Sequence, residues 1–448
     1  MIKLSSRLIE LAKNLNYPLY VVGGYVRDYL AGLNNSSDID ICAPASAEDF
    51  ALAAKNAGYT VDAQYKNTGT LKFSLGQESY EFASFRSDKY VRGEHTPADT
   101  FFTSDINLDA RRRDFKCNAV YYDIAAQKIV DPLGGVKDIQ SGVISTVAPA
   151  EKVFGEDGLR LMRLARIAAQ TGFKPSPECL KGATLNAGLI RDVSVERIYA
   201  ELNMILHADG KYGKARGQYE GLKILQQTGV LQIILPELSL GEGMSQRPDI
   251  HKYDVLEHTF RTVAYSDDGV RLAALLHDIG KPYCFINFGK YYGHETEGAR
   301  IAKEVCSRLK VPKKLAEETV KLVELHMYDM RCDAKENKVR KFIIENYAVI
   351  DKLLLLKQAD FSACADDFGI APTVEKFNAI IGKMREEGVP FNLKELNVRG
   401  DELIALGLPA ASVGSVLQSL LKDCAINAVK NEKELLLSRA QKMYLTVK

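Results

Sequence analysis

A short strand-like run with two carboxylates is the first place where chemistry can reside. Ser36-Ser37-Asp38-Ile39-Asp40-Ile41 is β-prone, and the two-residue period of a strand puts Asp38 and Asp40 on one face. Two adjacent carboxylates repel unless a cation lies between them, and a hard cation such as Mg²⁺ prefers oxygen ligands. The plain alternative is a solvated strand edge with two surface acids. Just upstream, residues 19–30 read LYVVGGYVRDYL. A strand runs into Gly23-Gly24 and a helix begins at once, which suits a phosphate approaching the backbone. Arg27, one turn into that helix, has the planar fork that grips a phosphate.

A second cluster is built from histidine, a rare residue in this chain with seven copies. His258, His277, His294 and His326 fall in one region, and His277-Asp278 is flanked by apolar residues and a Gly-Lys-Pro stop. A lone histidine in a helical region is more often a packing residue. An adjacent His-Asp pair among further histidines and Asp360 points to a metal.

A third pattern is a basic stripe. Asp157, Arg160, Arg163 and Arg166 recur every three residues over a segment, 157–170, that reads as a helix. Ordinary ion pairing at i,i+3 is the plain reading.

The elements that must position these residues show two textures. Up to about residue 145, runs at 17–22, 38–42, 70–75, 80–85 and 119–123 read as strands mixed with helices. Beyond about 150 the pattern is helical, as at 195–206 and 315–326. A chain of 448 residues is long enough for several cores. The division expected is 1–145, 146–245, 246–370 and 371–448. Lys and Arg total 59 against 58 acids, so a nucleic-acid partner has to be met by local positive potential. The eight cysteines are scattered with no CxxC pair, as in a reduced, cytoplasmic protein. Charges interrupt the first amphipathic helix, MIKLSSRLIELAKNL, so it does not read as a signal peptide. No apolar run has membrane-span length.

Taken in order and spacing, the Gly-Gly turn, Val26-Arg27-Asp28 and Asp38-Ile39-Asp40 resemble the nucleotidyltransferase superfamily of polymerase β. They are closest to class II tRNA nucleotidyltransferases, the CCA-adding enzymes of the poly(A) polymerase family. The likeness continues through Arg112-Arg113-Asp114-Phe115, Asn118-Ala119, Asp131-Pro132-Leu133-Gly134-Gly135, Glu156-Asp157-Gly158-Leu159-Arg160, Ser194-Val195-Glu196-Arg197 and the tail from Gly400. It implies an α+β fold: a polymerase-β-like head with a mixed sheet, then an all-α neck, a body and a tail. It assigns Asp38 and Asp40 to catalysis and Mg²⁺. It gives Gly24, Arg27, Arg113, Asp157, Arg160, Arg163 and Arg166 to the nucleotide, with Asp157 and Arg160 reading the base. A carboxylate accepts from the exocyclic amino group of C or A and a guanidinium donates to the neighbouring ring acceptor, whereas U mismatches. Glu81 is a candidate third carboxylate.

The histidine region resembles the HD phosphohydrolase superfamily. That likeness places a divalent transition metal or Mg²⁺ on His258, His277, Asp278 and Asp360, with His294 and His326 available for a second metal or a phosphate. The expected partners are the tRNA acceptor arm, CTP and ATP, with neither a membrane nor an obligate protein partner. A loop between 85 and 113 argues against CC-only addition. Its Gly-Glu-His-Thr-Pro stretch lacks the usual arginine pair, which keeps A-only or poly(A) addition open. An HD phosphohydrolase with an RNA-binding head is the alternative from another class.

Overall fold

The computed structural model describes residues 2–33, 39–65, 68–89 and 99–445. They form two compact units. One comprises 1–240 with 307–311, and the other 241–306 with 312–448.

A seven-stranded mixed sheet frames the first unit. Its strands are β1 (Tyr20–Val22), β2 (Ile39–Ala43), β3 (Thr60–Tyr65), β4 (Thr70–Leu75), β5 (Glu78–Ser84), β8 (Tyr121–Asp123) and β9 (Lys128–Val130), in the order β3-β4-β5-β2-β1-β8-β9. The pair β2–β5 is parallel and the others are antiparallel. A separate ribbon pairs β6 (Arg86–Lys89) with β7 (Asp99–Phe102). The helix Ala47–Asn56 buries Phe50 on the sheet, stacked on Phe82 with centroids 4.0 Å apart. Each such buried ring contributes roughly 2 kcal/mol by removal from water.

Several expected elements shift at their edges. The strand read from residue 119 begins at Tyr121, because Lys116–Asn118 winds into a 3₁₀ turn that aims Asn118 at Arg27. The strand read from 17 begins at Tyr20. The polar edge strand β3 and the short strand β9 carry no strong apolar alternation and lay outside the sequence reading. Helices Val195–Leu206 and Lys313–Leu325 match their patterns closely. Among the described residues no helix is long and apolar enough to cross a membrane.

The second unit is helical. Val255–Tyr265, Arg271–Leu276, Gly280–Phe288, His294–Arg308, Lys313–Leu325 and Ile350–Ala365 supply or flank all the histidines of the second cluster. Gly280 is a required close approach. A Cβ there would stand 2.2 Å from the His294 carbonyl oxygen and 2.6 Å from the Gly298 nitrogen.

Candidate active site and metal centre

Sheet register builds the first site. Asp40 on β2 lies between Val22 of β1 and Glu81 of β5, so Asp40 and Glu81 share a face. Glu81 is exposed and pairs with Lys72 on β4 at 2.5 Å. Gly23 turns β1 away with φ +81°, and a Cβ there would meet Asp40 Oδ2 at 3.3 Å. The backbone therefore passes directly beneath the carboxylate, a conformation that favours glycine. Asp38 lies outside the described residues.

Arg27 is buried and heavily engaged. Its Nε and Nη2 donate to Asp28 Oδ1 at 2.9 and 2.7 Å, and Nη1 donates to Asn118 Oδ1 at 2.8 Å. The Tyr212 hydroxyl, 184 residues along the chain, donates to Asp28 Oδ2 and accepts from Arg27 Nη2 at 3.4 Å. The fork expected to face a phosphate is thus held edge-on by Asp28, whose partner Tyr212 had no local signal in the sequence.

Arg113 and Arg112 converge on Asp109, which is fully buried. Asp109 accepts from Arg112 Nε at 2.7 Å, Arg113 Nη2 at 3.0 Å and the Tyr121 hydroxyl at 2.7 Å. Burial opposes its ionisation, but Arg113 and Arg112 outweigh burial and the pKa falls to about 2. Asp109 was absent from the sequence reading, although Arg112 and Arg113 stand at i+3 and i+4 from it; its burial against Tyr121 is what leaves no pattern along the chain.

The basic stripe resolves differently from expectation. Asp157 is not on the helix: it follows the helix Ala150–Glu156 in an extended conformation, and the next helix runs Leu159–Thr171. Its Oδ1 accepts from the Leu159 backbone N–H at 2.9 Å, so Asp157 caps the helix start. Arg160 is buried. It donates to Glu156 Oε2 and the Val153 carbonyl at 2.9 Å and to the Arg112 carbonyl at 2.8 Å. Arg163 pairs with Asp114 at 2.6 Å and Arg166 with Glu201 at 2.6 Å. Burial disfavours the Asp114 charge, yet Arg163 holds its carboxyl well below the usual range. Each arginine thus has its own carboxylate rather than a shared row of i,i+3 pairs. All of them, with Gly24, Arg27, Asp40, Arg113 and Asp157, line one cavity of about 500 Å³. Arg86, Arg197 and Lys211 add to its wall. The cavity suits a polyanion presented to a carboxylate edge.

The second site is buried around Asp278. His277 ends one helix and Asp278 follows it, His258 and Asp360 project from two others, and His294 and His326 lie at helix ends. His277 Nε2 and Lys281 Nζ lie 3.1 and 2.6 Å from Asp278 Oδ2. His294 and His326 lie 3.3 and 3.7 Å from Oδ1. His258 Nε2 is 3.0 Å from Asp360 Oδ1 and 3.5 Å from Asp278 Oδ2. Burial opposes ionisation of Asp278, but His277 and Lys281 hold its carboxyl far below the usual range.

The donor set calls for cations. His277, His294 and His326 each place Nδ1 2.7–2.8 Å from a backbone carbonyl. Nδ1 therefore donates to that carbonyl in each, so Nε2, once it gives up any proton of its own, is the atom that can offer a lone pair to an ion. The Nε2 atoms of His294 and His326 face each other at 3.3 Å, which is repulsive without a cation. Ligands about 2.1 Å from one tetrahedral ion stand about 3.4 Å apart. Both triads, His258–His277–Asp278 and Asp278–His294–His326, bring one ligand atom per residue within 4.8 Å of one another.

Residues 19–145 match the poly A polymerase head domain, 172–240 a probable RNA and SrmB-binding site of polymerase A, and 255–352 the HD domain. A multifunctional CCA protein of Neisseria gonorrhoeae is 32% identical over 311 residues, covering 66% of this chain and 71% of that protein. The chain belongs to the CCA-adding tRNA nucleotidyltransferase family. An A-adding tRNA nucleotidyltransferase of Deinococcus radiodurans is 28% identical over 441 residues, 92% of this chain and 93% of that one. The fold is that of the Bacillus stearothermophilus CCA-adding enzyme crystallised with CTP (TM-score 0.69, 22% identity, 99% of both chains). This tRNA nucleotidyltransferase family member carries its basic stripe, 157–166, between the matched head and RNA-binding regions.

Proposed function

We propose that this family member completes the 3′-CCA end of tRNA from CTP and ATP without a nucleic-acid template. One observation carries the reading. A single cavity brings Asp40 and the Gly23-Gly24 turn together with Asp157, Arg160 and the arginines at 163 and 166. A metal-ligand edge, a triphosphate cradle and a donor–acceptor pair for a base then act on one nucleotide.

The tRNA 3′-hydroxyl attacks the α-phosphate in line, the bond to the β-phosphate bridging oxygen breaks, and pyrophosphate leaves. Asp38 and Asp40 would hold Mg²⁺, which when bound lowers the pKa of the attacking hydroxyl and offsets charge on the transferring phosphate. Glu81 lies in register to support Asp40. Arg113, Arg27, Arg163 and Arg166 neutralise the triphosphate. Asp157 accepts from the exocyclic amine of C or A, and Arg160, fixed by Glu156 and two carbonyls, donates to the ring acceptor. Fixed donors lose little freedom when the base arrives. The acceptor arm of tRNA supplies the attacking end.

A second reading, addition of A alone, draws on the A-adding relative that aligns over nearly the whole chain and on the Gly-Glu-His-Thr-Pro stretch. That stretch lies at 93–97, outside the described residues. The test uses tRNA transcripts ending before CCA, after C and after CC, with CTP, ATP or both, resolved by single nucleotides. Completion to CCA followed by arrest is expected. Extension of the CC-ended transcript alone means A addition, and a long A ladder means poly(A) synthesis.

In the second unit, His258, His277, Asp278 and Asp360 would hold one divalent ion, and Asp278, His294 and His326 a second, for phosphate-ester hydrolysis. The facing lone pairs support this. Mn²⁺- or Ni²⁺-dependent hydrolysis of bis(p-nitrophenyl) phosphate by the full chain tests it, and a protein that binds neither ion would overturn it.

A further inference from the structure

His258 differs from the other three histidines around Asp278. Their Nδ1 atoms are fixed by backbone carbonyls, whereas His258 Nδ1 is buried with no hydrogen-bond partner. Beside it lie two residues outside the Asp278 set. His251 meets the His258 ring edge-on with centroids 4.9 Å apart, and its own Nδ1 is buried without a hydrogen-bond partner. Cys364 is the third member: one ligand atom each from His251, His258 and Cys364 lies within 4.8 Å of the others. His251 and Cys364 also line the cavity of about 570 Å³ in front of the centre, so an ion can reach them. Two imidazoles and a thiol make a softer donor set than the carboxylate-centred site.

We propose that His251, His258 and Cys364 form a separate site for a thiophilic divalent cation such as Zn²⁺, and that this site shares His258 with the Asp278 centre in alternation. A neutral imidazole has one N–H and one lone pair. With the lone pair on Nε2, His258 serves the Asp278 centre and Nδ1 carries the proton. With the lone pair on Nδ1, it serves the soft ion and Nε2 carries the proton. The other histidines are denied that choice by their carbonyl partners. On binding, the Cys364 thiol releases its proton to solvent and its sulfur lone pair forms the metal bond. The alternation rests on the metal reading of the Asp278 centre, whereas the soft site itself does not.

The test uses the full chain freed of metal, with Cd²⁺ as the first probe. Wild-type protein should show a thiolate-to-cadmium charge-transfer band in the ultraviolet at one equivalent. Cys364→Ser should abolish it, His251→Ala should weaken binding at least tenfold, and Cys332→Ser should leave it unchanged. No band in the wild type, or an undiminished band in Cys364→Ser, overturns the site. The second probe is Mn²⁺, followed by electron paramagnetic resonance while Zn²⁺ is added. Zn²⁺ should displace bound Mn²⁺ from the wild type at concentrations at least tenfold lower than from Cys364→Ser. Equal displacement overturns the alternation. Failure of the wild type to bind Mn²⁺ strikes the Asp278 reading instead and leaves the cadmium result standing on its own.

Discussion

The two sites solve opposite electrostatic problems. In the first unit five arginines at the cavity wall each have a carboxylate partner: Arg27 with Asp28, Arg113 with Asp109, Arg160 with Glu156, Arg163 with Asp114 and Arg166 with Glu201. These guanidiniums are held in place by carboxylates of the protein itself and give the cavity a basic wall suited to an anion. In the second unit, imidazole nitrogens crowd around the carboxylates of Asp278 and Asp360, a donor set that suits cations. A polyphosphate site can be assembled from internally satisfied ion pairs, whereas facing imidazoles are better satisfied by a shared ion than by one another.

If the two sites are chemically separate, their variants separate too. The largest effect is expected from Asp40→Ala, which should lower nucleotide addition about a thousandfold with tRNA binding within twofold, as read by single-turnover extension and a filter-binding assay. Asp278→Asn should weaken Mn²⁺ binding about a hundredfold while nucleotide addition stays at wild-type rate; a parallel loss of both would break the separation. Asp109→Asn probes the pre-aimed arginines. The folded pKa of Asp109, about 2, lies below its ordinary 3.8, so its stabilisation is complete above pH 4 and is lost as pH falls through 2. The variant should lose about 2 kcal/mol at neutral pH and show a flatter stability profile between pH 4 and 2, measured by thermal unfolding. The smallest effect is expected from Tyr212→Phe. Losing one hydroxyl on Asp28 costs about 1 kcal/mol, and it should appear as a roughly fivefold rise in KM for ATP with kcat little changed.

Much of this was legible along the chain, and the reason is distance in sequence. Asp40, the Gly-Gly turn and the Asp157–Arg166 run are local patterns, and the sheet and helices place them in one cavity. His277-Asp278 announced the second centre, with His258 and Asp360 carried in by resemblance. Long-range partners were illegible. Tyr212 reaches Asp28 from 184 residues away. Glu81 was a candidate by resemblance alone, and its place beside Asp40 comes from a parallel register that no single strand encodes. Asp157 was misplaced because its spacing to Arg160 fits a helix, whereas its carboxylate closes the helix start from outside. The pairing of His251 with Cys364 across the Asp278 neighbourhood likewise exists only in the folded chain.

The absent side chain at Gly280 bears on ion size. The helix it begins approaches the His294 backbone more closely than any Cβ would allow, and His294 thereby stands 3.3 Å from Asp278 and 3.3 Å from His326. Gly280 thus works as a calliper: the spacing of the His294–His326 pair follows from how closely two stretches of backbone meet. An alanine at this position would put its Cβ 2.2 Å from the His294 carbonyl oxygen, so that backbone would have to give way and carry His294 from its place beside Asp278 and His326.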